Sequence, residues 1–155
     1  MRTFLCAGAP IPTPLVERAR SVLGTKIVSA WGMTENGGVT LTRPGDPPEL
    51  VADSDGLPVD WMEVRIVDDE GRQVAVDGVG RLLTRGASQT PGYFRRPDLY
   101  RAQLSAAPAD EGDDGPLWFD TGDLARRRPD GGIRIAGRTK DLVIRGGEKI
   151  GRAHV

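Results

Sequence analysis

The spacing of apolar residues changes twice within the first thirty positions of the chain. Met1–Ala7 is apolar enough to predict a buried strand, which ends where Gly8–Pro12 turns the chain. Apolar residues then recur at helical spacing, and they predict an amphipathic helix with Thr13 as N-cap and Gly24 after its last turn. The β-branched segment Lys26–Ala30 predicts a second strand. This strand, helix and strand indicate a parallel sheet, with room for a nucleotide at its end.

The middle of the chain has short apolar runs instead of helical spacing. These runs consist of Val64, Ile66, Val67, Val74, Val76, Val79, Leu82 and Leu83. Aspartates and glycines, which favour turns, separate them. We therefore predict a small antiparallel β-subdomain over Asp55–Gly92.

The remaining residues predict shorter elements. Asp98–Leu104 is expected to form one or two helical turns, and the acidic stretch Ala106–Gly115 is expected to be mobile. Leu117–Asp120, Leu124–Arg127 and Ile133–Gly137 predict the three strands of a final meander. The fold class is therefore α/β, with the end of an α/β layer followed by a small antiparallel β-subdomain.

Composition excludes several classes of function. The chain has 155 residues, which is in the usual range of one domain, and its net charge of −1 gives no positive excess for a nucleic acid. Its apolar runs are far shorter than the roughly 20 residues of a membrane span, and no leader pattern opens the chain. Cys6 is the only cysteine, so no internal disulfide forms. We expect a soluble, cytoplasmic protein with no nucleic-acid partner and no membrane span.

Two segments in the first part of the chain carry candidate chemistry. Cys6–Pro10 ends a strand in very small residues, so a flat ligand could lie against the backbone, although a structural turn explains it as well. In Trp31–Glu35, the aromatic ring can stack on a base and Gly32 allows close approach. The Thr34 hydroxyl can donate to a phosphate, and Glu35 can hold a magnesium ion. The alternative is a helix N-terminus with Thr34 as its cap and Trp31 in the core.

Two later segments add charged groups. Phe119–Asp123 sets two carboxylates and a hydroxyl around a glycine at a predicted strand end, and Asp123 could accept hydrogen bonds from vicinal hydroxyls. An Asp-rich turn is the alternative. Arg138 suits phosphate or ribose oxygens, unless it or Lys140 forms a surface salt bridge with Asp141. A fifth segment, Gly80–Gly86 leading to Gly92-Tyr93, is interpreted as scaffold without chemistry.

Together and in this order, the five segments resemble the adenylate-forming superfamily of acyl-CoA synthetases, luciferases and peptide-synthetase adenylation domains. The resemblance runs from about Leu5 to Glu148. The stretches SAWGMTENG, RGAS followed by GYFRRP, and WFDTGDLAR are most similar to medium-chain and alicyclic acyl-CoA ligases, including cyclohexanecarboxylate–CoA ligases.

The resemblance implies a carboxylate–CoA ligase of the AMP-forming type, as found in fatty acid metabolism. Such an enzyme activates a carboxylic acid with ATP to an acyl-adenylate and transfers the acyl group to CoA. The alternatives are an aryl acid or peptide-synthetase adenylation domain, and a non-catalytic nucleotide-binding relative.

The resemblance also implies a role for each matching residue. The adenine pocket would be lined by Gly8, Ala9 and Pro10 with Trp31 beside adenine, and Gly32 and Met33 would also belong to the cofactor-binding residues. Trp31 stands where the family usually has a tyrosine, so the aromatic face is kept. Thr34 would bind the α-phosphate, and Glu35 would bind magnesium. Asp123 would hold the ribose hydroxyls, with Arg138 beside it.

The resemblance further implies that the chain is part of a longer enzyme. Residues 1–139 match the end of the large AMP-binding domain, and 140–149 match the hinge and the start of the small C-terminal domain. Lys140 matches the hinge position, and Gly146 and Gly147 match a loop near the pantetheine arm of CoA. The family's phosphate loop would lie before Met1 and its catalytic lysine after Val155. The isolated piece is therefore expected to be inactive.

The last residues depart from the family's pattern. After Glu148 the family continues with an asparagine, whereas this chain has Lys149 and then Ile150–Val155. A common sequencing-adapter sequence encodes the residues of 150–155, followed by a stop codon. We therefore expect 150–155 to be a non-native tail, and we exclude His154 as a ligand or base.

Overall fold

The computed structural model describes residues 2–9, 11–105, 117–139, 143–145 and 148–150. This part of the chain forms two larger sheets, one with helices packed on it and one purely antiparallel, and a small strand pair. In chain order the elements are β1 (Thr3–Ala7), α1 (Thr13–Leu23), β2 (Lys26–Met33), β3 (Gly37–Leu41), α2 (Pro48–Asp53), β4 (Leu57–Pro58), β5 (Met62–Val67), β6 (Val79–Gly86), α3 (Pro97–Arg101), β7 (Leu104–Ser105), β8 (Trp118–Arg127), β9 (Ile133–Arg138), β10 (Val143–Arg145) and β11 (Glu148–Ile150).

The first sheet has the strand order β1-β2-β3-β4, and it begins with the predicted strand, helix and strand. β1 and β2 are parallel, which confirms that prediction, while the other two pairs are antiparallel. Helix α1 starts one residue earlier than predicted, because Pro12 and not Thr13 is its N-cap. Gly24 ends the helix in the left-handed conformation at φ 59°, as expected for this residue.

The core of the first sheet lies on one face, under the two helices. It is formed by Ile11, Val16, Ala19, Ile27, Val51 and Ala52. The edge strand β1 contributes little, since Phe4 is 47% exposed and Leu5 is 56% exposed. The prediction of a buried first strand is therefore wrong for Thr3–Ala7, because within the described residues β1 pairs on one side only.

The second sheet has the order β5-β6-β8-β7, with β9 also paired to β8, and all its pairs are antiparallel. This confirms a small antiparallel β-subdomain but not its predicted bounds Asp55–Gly92, because Leu57–Pro58 pairs in the first sheet and β7, β8 and β9 follow Gly92. One face packs Ile66, Leu82, Ala125 and Ile133 together, and Val67, Leu83 and Trp118 form a second cluster. The apolar segment around Val74 and Val76 is not a strand, because only an isolated bridge joins Gln73 to Val67 before a turn at Val76–Asp77.

Strand β8 corrects the predicted meander. Leu117–Asp120 and Leu124–Arg127 are not two strands, because one continuous strand runs from Trp118 to Arg127. Its register against β6 shifts, since Leu83 pairs with Asp120 and Arg81 pairs with Leu124. One residue of β6 therefore faces three residues of β8, and the extra residues form a bulge within the ladder.

Two further predictions concern the segment before β8. The helical turns predicted over Asp98–Leu104 occur at Pro97–Arg101, and Leu104–Ser105 pairs with β8 instead. The acidic stretch predicted to be mobile, Ala106–Gly115, lies outside the described residues. In the described part of the chain, no helix is both long and apolar enough to cross a membrane.

Candidate functional site

The two sheets meet where β2 ends. We call this region the junction, and it consists of Trp31–Asn36 from the first sheet with Asp123 and Arg138 from the second. Gly32 is required there by space, because a Cβ atom on it would lie 1.9 Å from the Gly37 carbonyl oxygen. The glycine predicted to allow close approach of a ligand thus first allows close approach of the neighbouring strand.

The turn Thr34–Asn36 connects β2 to β3. It is a turn between antiparallel strands, so the alternative of a helix N-terminus capped by Thr34 is wrong. Asn36 is fully buried, and its Oδ1 accepts a 3.1 Å hydrogen bond from the Met33 amide. Its Nδ2 donates to Thr84 Oγ1 at 3.1 Å, which ties the turn to β6. Asn36 thereby presents Thr34, which is exposed, and Glu35, which is half-buried.

Asp123 lies in the β8 bulge and is only 7% exposed. Its amide donates to Thr121 Oγ1 at 3.1 Å, and that hydroxyl donates to the Leu82 carbonyl at 2.8 Å. Between them, Gly122 adopts φ 72°, which favours glycine. The segment predicted to be an Asp-rich strand end is therefore a bulge inside a strand.

Both oxygens of the Asp123 carboxylate are held. Trp31 Nε1 donates to Oδ2 at 3.2 Å, across 92 residues of sequence. Arg138 is the cross-strand neighbour of Asp123, and its Nε lies 3.1 Å from Oδ1. The Arg138 side chain is otherwise 71% exposed. Three of the residues selected from the sequence thus meet in one cluster.

Burial raises the pKa of the Asp123 carboxyl above its ordinary value. The Arg138 charge and the hydrogen bonds from Trp31 and Arg138 lower this pKa but do not cancel the effect of burial. Each oxygen of the carboxylate has a further lone pair beyond the one donor described, so a ligand that adds hydrogen-bond donors would be favoured there.

The Trp31 ring has a structural role as well. It is partly buried and packs against the core cluster of the second sheet that contains Leu82 and Ile133. The alternative that Trp31 fills the core is therefore partly right. The same side chain fixes the two sheets together and places its N–H on Asp123.

Glu35 has a partner that the sequence analysis did not identify. The Tyr93 hydroxyl donates a 2.9 Å hydrogen bond to Glu35 Oε1. Burial and the neighbouring Glu35 carboxylate raise the pKa of Tyr93. The phenol therefore stays protonated, and remains a hydrogen-bond donor, to a higher pH than an ordinary tyrosine. From the sequence, Gly92-Tyr93 is interpreted as scaffold without chemistry. The only local signal for a role of Tyr93 at the site is a tyrosine next to a glycine.

The donor set at Glu35 agrees with one kind of metal. Among the described residues, no three His, Cys, Asp or Glu side chains are grouped so that they could hold an ion. Magnesium is commonly bound by one or two carboxylates together with substrate phosphates and water. The single carboxylate of Glu35 therefore fits a magnesium ion that is shared with a polyphosphate.

The predicted adenine pocket is partly described. Gly8 and Ala9 follow β1 directly and are exposed, and Gly8 adopts φ 84°. Because Ala7 pairs with Ala30 in the parallel ladder, these residues and Trp31 leave the same edge of the sheet side by side. Pro10, Lys140, Gly146 and Gly147 lie outside the described residues.

Known proteins are similar to this chain in sequence and fold. The profile of the family described as "AMP-binding enzyme" matches residues 1–94. A 2-hydroxy-7-methoxy-5-methyl-1-naphthoate–CoA ligase of Streptomyces carzinostaticus is 43% identical over 90% of this chain and 24% of its own length. The medium-chain fatty-acid–CoA ligase of Escherichia coli K12 is 32% identical over 100% of this chain and 26% of its own.

A solved structure agrees with these relatives. The O-succinylbenzoate coenzyme A synthetase of Bacillus subtilis, in complex with ATP and magnesium ion, superposes with a TM-score of 0.80 at 29% identity. The match covers 96% of this chain and 29% of that enzyme. The chain thus spans about a quarter of the length of the curated relatives that it matches.

Proposed function

The chain belongs to the AMP-binding enzyme family, and on that premise we propose that it contributes the adenosine side of the nucleotide site in an AMP-forming carboxylate–CoA ligase. The proposed reaction has two steps. A carboxylate attacks the α-phosphate of ATP to give an acyl-adenylate and pyrophosphate, and the thiol of CoA then displaces AMP to give a thioester. The three ligases compared above each act on a carboxylic acid and CoA according to their names.

One observation carries the proposal, namely the carboxylate of Asp123 at the junction. It is buried, both its oxygens have donors, and burial raises its pKa. An acidic residue that holds the two ribose hydroxyls of a dinucleotide has the same chemistry. In this proposal the ribose hydroxyls donate to Asp123, and the adenine lies beside Trp31 and Gly8-Ala9.

The remaining residues of the junction would serve the phosphate. Thr34 at the exposed tip of the turn can donate its hydroxyl to the α-phosphate, and Glu35 can hold magnesium. Bound magnesium would neutralise the repulsion between the attacking carboxylate and the polyphosphate. Arg138, whose side chain is mostly exposed beside Asp123, adds positive charge next to the ribose.

Other parts of the proposal rest on the sequence. Residues 1–139 would form the C-terminal part of the large AMP-binding domain, and 140–149 would form the hinge, at Lys140, and the start of the small domain. CoA and a carboxylic acid are the proposed partners, and the site described here does not include the pocket for the acid. This part of the enzyme holds one cysteine and therefore no disulfide of its own, which suits a reducing compartment such as the cytoplasm.

The test separates the two half-reactions in the full-length ligase. Acid-dependent ATP–pyrophosphate exchange reports adenylation, and CoA-thioester formation from preformed acyl-adenylate reports the second step. Glu35→Gln keeps the shape of the side chain but removes its charge, so it should slow exchange and spare the second step. Lys140→Pro should do the opposite, because proline fixes φ at the proposed hinge. Equal loss of both half-reactions in both variants would contradict these assignments.

A further inference from the structure

The loop between β6 and α3 is fastened to the turn that carries Glu35. The Thr90 amide donates to the Glu35 carbonyl at 2.6 Å, and the Ser88 hydroxyl donates to the Asn36 carbonyl at 2.7 Å. The third contact is the bond from the Tyr93 hydroxyl to Glu35 Oε1. Two contacts therefore fix the backbone of the turn, and one fixes the carboxylate itself.

The Tyr93 ring is held by a second layer of contacts. It meets the Tyr100 ring edge to face, with 5.9 Å between the ring centroids and an angle of 89°. Tyr100 donates its hydroxyl to the Thr90 carbonyl at 2.6 Å and packs on Phe119 with centroids 5.8 Å apart. Since Phe119 is 1% exposed, this row of rings ends in the buried part of the second sheet.

We propose that Tyr93 is a positioning residue that orients the Glu35 carboxylate for the metal–nucleotide complex. This inference rests on the proposed function. A free glutamate side chain loses rotamer freedom when it ligates a cation, and that loss opposes binding. A hydrogen bond formed before ligation removes part of this loss. The carboxylate has about four lone-pair positions, so one phenol donor leaves room for a cation.

A purely structural role predicts a different pattern. If the bond from Tyr93 to Glu35 only fastened the loop to the turn, its loss would change metal binding no more than the loss of the Tyr100 hydroxyl, which also holds this loop. Tyr100→Phe provides that comparison, because it removes one hydroxyl and keeps the ring contacts. The chain has two tyrosines, so the two variants form a matched pair.

The first experiment measures the dissociation constant of Mn²⁺ by electron paramagnetic resonance, in full-length ligase with the non-hydrolysable analogue α,β-methylene-ATP. Mn²⁺ prefers the same oxygen ligands as magnesium. Loss of a partner of a metal ligand commonly weakens metal binding by 10- to 100-fold, so Tyr93→Phe should weaken Mn²⁺ binding by about tenfold. Tyr100→Phe should stay within about twofold of the wild type, as expected for a group that does not touch a ligand. In a Glu35→Gln background, Tyr93→Phe should have no further effect.

The second experiment needs neither metal nor activity. In metal-free protein, the hydroxyl proton of Tyr93 should be visible by NMR as a slowly exchanging signal, and Glu35→Gln should shift or remove it while the Tyr100 signal stays. Equal weakening of Mn²⁺ binding by Tyr93→Phe and Tyr100→Phe, or an unchanged Tyr93 signal in Glu35→Gln, would overturn the inference. A wild-type protein that exchanges no pyrophosphate and binds no Mn²⁺ with the analogue would instead refute the proposed function itself.

Discussion

The two sheets of this chain differ in how completely they bury their apolar residues. In the first sheet, the edge strand leaves Phe4 and Leu5 about half exposed, although the face under the helices buries Ile27 and Val51. In the second sheet, Leu82 and Ala125 are fully buried and Trp118 is 1% exposed. The second sheet therefore has a core of its own, whereas the first sheet does not bury its outermost strand within the described residues.

This difference bears on how the candidate site is built. Most of its chemical groups stand on the last residues of β2 and the following turn, in the first sheet. The contacts that fix them come from the second sheet, through Asn36 to Thr84 and Trp31 to Asp123, and from the loop after β6, through Glu35 to Tyr93. The order of the site should therefore depend on the core of the second sheet more than on the exposed strand of the first.

The largest expected effect tests the two cores directly. Leu82→Ala should lower the free energy of unfolding by about 2–5 kcal/mol, because it removes a fully buried side chain and leaves a cavity. Leu5→Ala makes the same chemical change at a half-exposed position and should cost no more than about 0.5 kcal/mol. Urea unfolding of both variants measures the difference. Equal losses would show that the first strand is as well packed as the second sheet.

The next effect concerns the carboxylate at the junction. Asp123→Ala should weaken binding of adenosine or AMP by roughly 1.5–3 kcal/mol, because charge-assisted hydrogen bonds to the ribose are lost. Calorimetric titration of the full-length ligase measures this change. Asp98→Ala removes an exposed carboxylate that pairs with Arg96 and is not part of the junction, so it serves as the control. Unchanged affinity of Asp123→Ala for adenosine or AMP would show that Asp123 does not bind the ribose.

The pH dependence of binding gives a smaller effect with a defined sign. Burial raises the pKa of Asp123, and only the ionised carboxylate accepts bonds from both ribose hydroxyls. Adenosine affinity should therefore be constant at high pH and fall by up to about tenfold per pH unit below that raised pKa. The fall should begin at a higher pH than an ordinary aspartate would give.

Adenosine is the better ligand for this measurement, because it lacks the phosphate that titrates in AMP. Asp123→Asn should bind more weakly and lose the pH-dependent fall, since it has no titrating proton. The same raised pKa acts on folding with a fixed sign. The contribution of Asp123 to stability is largest at low pH and is lost as the pH rises through its folded-state pKa. If the adenosine affinity of Asp123→Asn still fell at low pH, the titrating group would be a residue other than Asp123.

The smallest effect separates the ring of Trp31 from its N–H group. Trp31→Phe keeps an aromatic face beside the proposed adenine position and removes the donor to Asp123. It should weaken adenosine binding by about 0.5–1.5 kcal/mol, the usual net contribution of one hydrogen bond. Trp61→Phe, at an exposed tryptophan, should leave the affinity unchanged. Equal adenosine affinities of Trp31→Phe and Trp61→Phe would show that the N–H group of Trp31 does not contribute to nucleoside binding.

The parts of the fold that depend on local spacing could be predicted from the sequence. Helical periodicity and Gly24 defined α1, and alternating short apolar runs defined the second sheet. Strand β8 could not be predicted, because Thr121-Gly122 favours a turn in isolation. In the fold, β6 pairs with β8 on both sides of this segment and β9 pairs with β8 after it, so a bulge absorbs the extra residues and the strand continues.

The candidate site was predictable only in part, for a related reason. Trp31, Asp123 and Arg138 belong to short motifs, and the structure brings them together, while their roles stay predictions. Asn36 and Tyr93 were missed because their partners are 48 and 58 residues away in the sequence. A contact over that distance leaves no periodic signal, so neither residue could be linked to the site from local pattern alone.

A crystal structure of the full-length ligase with AMP tests the central claim most directly, namely that the junction of the two sheets holds the nucleoside. We expect both ribose hydroxyl oxygens within about 3 Å of the Asp123 carboxylate, with the adenine beside Trp31 and the phosphate toward Thr34. AMP bound with its ribose away from Asp123, or at a surface that includes neither Trp31 nor Asp123, would contradict it.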